Sequence, residues 1–180
     1  MGSAVGRSLG ADWRALVRNV PDFPVPGIQF KDIAPVLADA GALAAVTGEL
    51  TDAARAMSPD VVVAIEARGF ILGSPLALAL GVGFVPVRKP GKLPFTTRSV
   101  AYALEYGEAV LHMHTDALTP GARAVIVDDV LATGGTLAAT AQLVREAGAI
   151  PVGALVALEL GALGGRERLP DLPLTSLQGV

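Results

Sequence analysis

The stretch V-I-V-D-D-V-L-A-T-G-G-T, residues Val125 to Thr136, decides how this chain of 180 residues is read. A β-branched run delivers two consecutive carboxylates, and a Thr-Gly-Gly-Thr turn then opens an apolar periodic stretch that begins near Leu137. That order is a strand, a short turn and a helix start. Backbone N–H groups at a helix start have no partners inside the helix, and the helix dipole favours an anion there by roughly 0.3 to 1 kcal/mol. Gly134 and Gly135 let the backbone come close to such an anion, and Thr133 and Thr136 add hydroxyl donors. Asp128 and Asp129 cannot also hold a phosphate, so they require an electropositive or hydroxyl-rich partner, and vicinal ribose hydroxyls suit a pair of carboxylate acceptors. A ribose 5-phosphate meets both demands. The plainer reading, a solvated strand end followed by an ordinary turn, needs neither two acids nor two flanking threonines. No G-x-x-x-x-G-K-[S/T] and no G-x-G-x-x-G occurs, so nucleoside triphosphate hydrolysis and dinucleotide binding lose their main signals.

Outward from this stretch, short buried-strand runs occur at Val61 to Ile65, Phe84 to Val87, Ala124 to Val127 and Val152 to Leu158. Leu43, Val46, Leu50 and Met57 share one helical face before the first run. Leu137, Ala141, Val144 and Ala147 share another before the last, with Gly148 placed to end that helix. The fold class is α/β, with a mostly parallel central sheet flanked by helices and ligands at the carboxyl ends of the strands. Three segments meet that description: Glu66-Ala67-Arg68-Gly69, Arg88-Lys89-Pro90-Gly91-Lys92, and Asp128 to Thr136. From Pro90 to about Ser99 the chain has little periodicity and reads as a long mobile loop, a candidate lid.

Composition bounds the rest. One domain spanning residues 1–180 is the expectation for this length, with Met1 to Gly10 as a short polar arm. The 52% hydrophobic content rests on Ala, Val and Leu, with only 4% aromatics, which suits a close-packed α/β core. Apolar runs are too broken to span a bilayer, and the N-terminus lacks a signal-peptide stretch, so a cytoplasmic location without membrane partners is expected. Absence of cysteine excludes disulfides and thiolate chemistry. A net charge of −3 argues against a nucleic-acid-binding surface.

V-I-V-D-D-V-L-A-T-G-G-T resembles the phosphoribosyl pyrophosphate signature of the type I phosphoribosyltransferases. F-P-V-P-G-I-Q-F-K-D-I-A-P-V-L from Phe23, E-A-R-G-F from Glu66, V-P-V-R-K-P-G-K-L-P from Val85, L-E-Y-G from Leu104 and G-R-E-R-L from Gly165 narrow the resemblance to the adenine phosphoribosyltransferases. The resemblance implies the type I fold with a flexible loop over the active site and a small N-terminal hood, residues 1–35 forming an N-terminal arm and base-binding segment. It implies transfer of the 5-phosphoribosyl group from phosphoribosyl pyrophosphate to N9 of adenine, giving AMP and pyrophosphate, with Mg²⁺ held mainly by substrate, in a homodimer. Hypoxanthine or xanthine as acceptor, or a non-catalytic purine-responsive regulator of the same fold, are the alternatives.

By the same resemblance, Asp128 and Asp129 match the ribose-binding acids, and Ala132, Thr133, Gly134, Gly135 and Thr136 match the 5-phosphate loop. Arg68, Arg88, Lys89 and Lys92 would neutralise pyrophosphate, and a cis peptide bond would fall at Glu66-Ala67. Glu105 is the candidate general base for the proton lost from adenine, with electrostatic support of the ribosyl cation as its rival role. Read without the family, Glu105 is an exposed strand residue and Phe30 a core aromatic. With it, Phe30 stacks on adenine, Val130 supplies an apolar contact, and Gln29 and Lys31 read the purine edge mainly through backbone groups. His112 and His114 share a strand face, but with no third histidine nearby and no cysteine they make a poor metal site. Asp12 and Trp13 read as the start of a docking helix, with core packing the simpler role.

Overall fold

The computed structural model describes residues 12–103 and 107–180, in two compact units that part between Glu49 and Leu50. In the first, the expected helix at Asp12 is a single 3-10 turn, Trp13–Leu16, because the backbone turns extended at Val17 and runs into β1 (Arg18–Pro21). Trp13 is buried, and its indole N–H donates to Glu49 Oε1 at 2.9 Å. Arg14 grips the same carboxylate at 2.6 Å and holds it below the usual carboxylate range. β1 pairs antiparallel with β2 (Gln29–Asp32), and Arg18 bonds Asp32 across the pair at 2.6 Å. The connection contains a cis Phe23-Pro24 bond. A short α1 (Ala34–Ala38) follows, and then α2 (Ala40–Met57), whose first amides at Gly41 and Ala42 donate to the Asp39 carboxylate.

The second unit holds the parallel sheet that the sequence predicts. Its strands are β3 (Val61–Ile65), β4 (Gly83–Val87), β7 (Arg123–Leu131), β8 (Ile150–Glu159) and β9 (Leu174–Gly179), in the order β4-β3-β7-β8-β9. Helix α3 (Arg68–Leu80) joins β3 to β4, a hairpin of β5 (Thr97–Ala103) and β6 (Glu108–His114) follows, and α4 (Gly135–Glu146) joins β7 to β8. Every residue of β3 is buried, as a strand covered on both faces requires. Val61, Val63 and Ile65 join a core with Leu137, Leu143 and Val144 of α4 and with Val100, Leu111 and Met113 of the hairpin. Val62 and Ala64 point the other way, where α3 comes so near that a Cβ on Gly73 would lie 2.7 Å from the Ala64 Cβ.

Several expectations change. Helix α3 has no clear sequence signal, because it is apolar almost all round and carries Gly69, Gly73 and Pro75, all of which read as breakers. The loop expected to reach Ser99 ends earlier: Thr97 already pairs with His114, since Val100 gains its burial only in the hairpin. Strand β7 runs past Val127 to Leu131, because β8 continues beside it with Asp128 opposite Val156 and Val130 opposite Leu158. The two acids therefore lie on the strand rather than in the loop after it. Helix α4 starts at Gly135, and Gly148, in the left-handed region, follows its end as expected.

Gly73 and Gly48 separate two effects. Alanine in a helix interior gains up to about 1 kcal/mol over glycine, and a Cβ on Gly48 in α2 meets nothing within 4 Å. Gly48→Ala is expected to raise the melting temperature by a few degrees. Gly73→Ala is expected to lower it, because displacing α3 from the sheet costs about 1 to 3 kcal/mol. Thermal unfolding of the two variants checks both signs.

Candidate active site

In the order β4-β3-β7-β8-β9, the chain leaves β3 towards β4 but leaves β7 towards β8. Connections that part in this way open a crevice beyond the carboxyl ends of the two central strands, the usual ligand position in such sheets. The sequence-predicted donor-binding residues of this unit lie at the end of β7 and on the segments that leave β3, β4 and β7.

Parallel pairing sets Ile65 level with Val87, so the residues after β3 and β4 emerge side by side. Arg88 Nε donates to Glu66 Oε2 at 2.8 Å, and the Arg88 guanidinium lies 5.8 Å from the Phe70 ring centre. The Glu66-Ala67 bond is cis, as the family resemblance implies. Arg68, the first residue of α3, forms an ion pair with Asp129. Two of the four expected cations therefore already face carboxylates. Lys89 and Lys92 are exposed and make no side-chain ion pair among the described residues.

Asp129 is only 4% exposed. Asp128 Oδ1 accepts from the Asp129 amide at 2.9 Å. Desolvation, and then the neighbouring Asp129 charge, push the Asp128 carboxyl well above the usual carboxylate range. The first turn of α3 closes against this strand end: a Cβ on Gly69 would lie 2.8 Å from the Val127 carbonyl oxygen and 3.1 Å from Asp128 Oδ1. Only glycine allows the helix so near.

The loop Ala132 to Gly134 connects β7 to α4, and Gly134 occupies the N-cap position with φ of 80°. A side chain is excluded there twice over, by that backbone angle and by the Gly165 carbonyl oxygen, 2.3 Å from where a Cβ would stand. Gly135 is walled by the Tyr102 ring, which would be 3.0 Å from its Cβ, and the Tyr102 hydroxyl is 3.2 Å from Thr136 Oγ1. The result is a bare helix start with no side-chain cap, the arrangement expected of an anion cradle.

Gln29, Phe30 and Lys31 lie on β2 of the first unit. Phe30 is half-buried, with its ring edge-on to Phe23 at 5.1 Å, so the alternative of a core aromatic does not hold. Val130, half-buried, is on β7. Glu105 lies outside the described residues. His112 Nδ1 is 2.9 Å from Thr97 Oγ1 across the hairpin, and the His114 ring stands edge-on to Phe95 of the loop that precedes it. Reading the sequence alone misses Glu66 as a partner for Arg88, and Tyr102 and the Gly165–Arg168 turn as walls of the Ala132–Gly134 loop. The glycine in E-A-R-G and the alternation Val100, Tyr102 are signals for two of these. Nothing local links Gly165 to Gly134.

Comparison with known proteins agrees with this geometry. Residues 30–177 match the family described as the phosphoribosyl transferase domain. The adenine phosphoribosyltransferase of Nocardioides sp. is 58% identical over 167 residues, covering 91% of this chain and 90% of that protein. That of Roseiflexus castenholzii is 56% identical over 162 residues, covering 90% and 94%. The crystal structure of adenine phosphoribosyltransferase from Thermoanaerobacter pseudethanolicus superposes with a TM-score of 0.91 at 50% identity, covering 93% of this chain and 97% of that one. That of the Giardia lamblia enzyme complexed with 9-deazaadenine gives 0.88 at 40% identity, covering 93% and 96%. This chain belongs to the phosphoribosyl transferase family and, within it, to the adenine phosphoribosyltransferases.

Proposed function

We propose that this protein transfers the 5-phosphoribosyl group of phosphoribosyl pyrophosphate to N9 of adenine, releasing pyrophosphate and forming AMP. The observation that carries the reading is the crevice at the ends of β3 and β7, where two strand-borne carboxylates adjoin a bare glycine turn, in a chain of this family. The 5-phosphate sits on the amides and hydroxyls of Ala132 to Thr136, and Asp128 and Asp129 accept from the ribose hydroxyls. As the bond from C1′ to the diphosphate oxygen breaks, its electron pair leaves with pyrophosphate and C1′ becomes cationic. Carboxylates near the ribose and cations near the leaving group both lower that barrier. Lys89 and Lys92 are the available cations, while Arg68 and Arg88 are held in orientation by Asp129 and Glu66 until an anion competes for them.

The N9–C1′ bond forms as the N9 proton is lost, and Glu105 is the base we assign to it, a role worth about 10² to 10⁴ in rate. Phe30 offers the stacking face for the purine, Gln29 and Lys31 its edge contacts, and Val130 an apolar contact. The carboxylate oxygens of Asp128 and Asp129 are the hard donors that Mg²⁺ takes, but Arg68 already engages Asp129. We therefore assign the cation mainly to substrate oxygens, where it would offset charge on the departing pyrophosphate. The segment from Lys89 to Thr96 is assigned as the lid. A homodimer is inferred from the family, supported by Ile71 and Leu78, apolar residues of α3 that are 44% and 83% exposed. A cytoplasmic location is inferred with it; no helix among the described residues is long and apolar enough to cross a membrane.

Three measurements test this reading. With phosphoribosyl pyrophosphate and Mg²⁺, adenine is expected to react in preference to hypoxanthine, guanine, xanthine and orotate; preference for another base would overturn the acceptor while leaving the donor site. Glu105→Gln is expected to lower the single-turnover rate at least about 100-fold, and an unchanged rate would remove Glu105 from the chemistry. For Asp128 the raised native pKa fixes the sign of a pH effect. The native state keeps a proton on Asp128 above about pH 3.9, where the unfolded chain loses it, so stability falls as pH rises through that window. Asp128→Asn is expected to melt higher than wild type at pH 7, with the difference closing below about pH 4, while kcat/KM falls about 10- to 100-fold through the lost ribose contact. A lower melting temperature at pH 7 would contradict the assignment.

A further inference from the structure

The turn Gly165–Arg168, a 3-10 turn in the connection from β8 to β9, is built against the phosphate loop. The approach is reciprocal: a Cβ on Gly134 would lie 2.3 Å from the Gly165 carbonyl oxygen, and a Cβ on Gly165 would lie 2.3 Å from the Ala132 carbonyl oxygen. Neither backbone can yield without moving the other.

The turn is also anchored from behind. Arg166 donates from Nε and Nη2 to the two oxygens of Glu159 at 2.6 and 2.7 Å, and from Nη1 to the Leu174 carbonyl at 3.0 Å. Ser176 Oγ donates to Glu159 Oε2 at 2.6 Å, tying the pair to β9. These bonds hold the Glu159 carboxyl below the usual carboxylate range, Arg166 contributing most. Arg166 is thereby committed to the scaffold.

Arg168 is not committed in this way. Its Cβ would be 3.3 Å from a Cβ on Gly134, and its Nη1 would be 3.5 Å from a Cβ on Gly135, so the side chain extends along the two glycines of the loop. It is exposed, and among the described residues it makes no hydrogen bond or ion pair. Across Gly135 stands Tyr102, whose hydroxyl reaches Thr136 Oγ1. A guanidinium is thus laid beside a helix start that offers amide and hydroxyl donors but no positive side chain of its own.

We propose that Arg168 is a phosphate-binding residue, closing the 5-phosphate cradle with charge-assisted hydrogen bonds from outside the signature stretch. The inference rests on the proposed function, since it takes the anion to be the 5-phosphate of the ribosyl donor and of AMP. An arginine in that place gives phosphate recognition both charge and direction, which neutral amides alone do not.

The test is calorimetric titration of wild type, Arg168→Gln and Arg168→Lys with AMP and with adenosine, which lacks the phosphate. Arg168→Gln is expected to weaken AMP binding about 10- to 100-fold, the range for hydrogen bonds to a charged group, while adenosine affinity changes by less than about twofold. The lysine variant is expected to recover part of the loss, as it keeps the charge but not the fork. In steady state the KM for phosphoribosyl pyrophosphate rises and that for adenine does not, with the melting temperature unchanged because Arg168 is exposed. Equal AMP affinity in wild type and Arg168→Gln, or an equal loss for AMP and adenosine, overturns the proposal while leaving the proposed function intact. Wild-type protein that binds neither AMP nor phosphoribosyl pyrophosphate overturns the functional reading and this proposal with it.

Discussion

Two adjacent carboxylates at the end of a strand buried on both sides set the terms for everything around them. A charge taken from water into a protein interior is costly unless it is paired, and a second charge next to it raises the cost further. Asp129 meets the demand by pairing with Arg68, which stands at the first residue of α3 and so ties that helix to β7. Asp128 meets it in part through the Asp129 amide and otherwise by holding its proton well above the ordinary range. The positive end of α3 also faces this strand end, a further favourable term for negative charge. Helix, strand and acids are therefore one unit of electrostatics.

That arrangement explains the pattern of glycines in the crevice. Gly69 lets α3 close on the Val127 carbonyl, Gly134 lets the loop turn under the Gly165 carbonyl, and Gly135 leaves room for the Tyr102 ring. At Gly69 and Gly134 backbone approaches nearer than any Cβ permits, and at Gly135 the ring leaves a Cβ only a tight fit. Three segments distant in sequence are gathered in this way: the start of α3 against β7, and the hairpin strand β5 and the turn before β9 against the β7–α4 connection and the first turn of α4. A loop built so tightly is preorganised, and its amides need little rearrangement to be presented together.

The balance of charge follows the same logic. Glu66 with Arg88, and Asp129 with Arg68, are matched pairs. The surplus lies in Lys89, Lys92 and Arg168, exposed cations on loops beyond the strand ends. A chain acidic overall, with net charge −3, thus keeps local positive charge on loops beyond the strand ends.

The fold class, four of the five sheet strands, the helices before β3 and β8, and the strand–turn–helix order of Val125 to Thr136 were legible because each rests on a local pattern: buried β-branched runs, a 3.6-residue apolar period, two acids before two glycines. The cis bond at Glu66-Ala67 and the family were legible through motif resemblance. Helix α3, the edge strand β9, the hairpin and the full length of β7 were not, since α3 lacks a polar face and strand limits depend on what lies alongside. Phe30 looked like core and is half-buried against Phe23, because burial is a property of neighbours rather than of residue type. By itself the sequence determined which chemical groups this protein possesses and the local order in which they occur. Only the tertiary structure decided that Arg68 faces Asp129, that Arg88 faces Glu66 and that the Gly165–Arg168 turn backs the β7–α4 loop, because contacts between distant segments follow from strand register and helix packing, which no short stretch encodes.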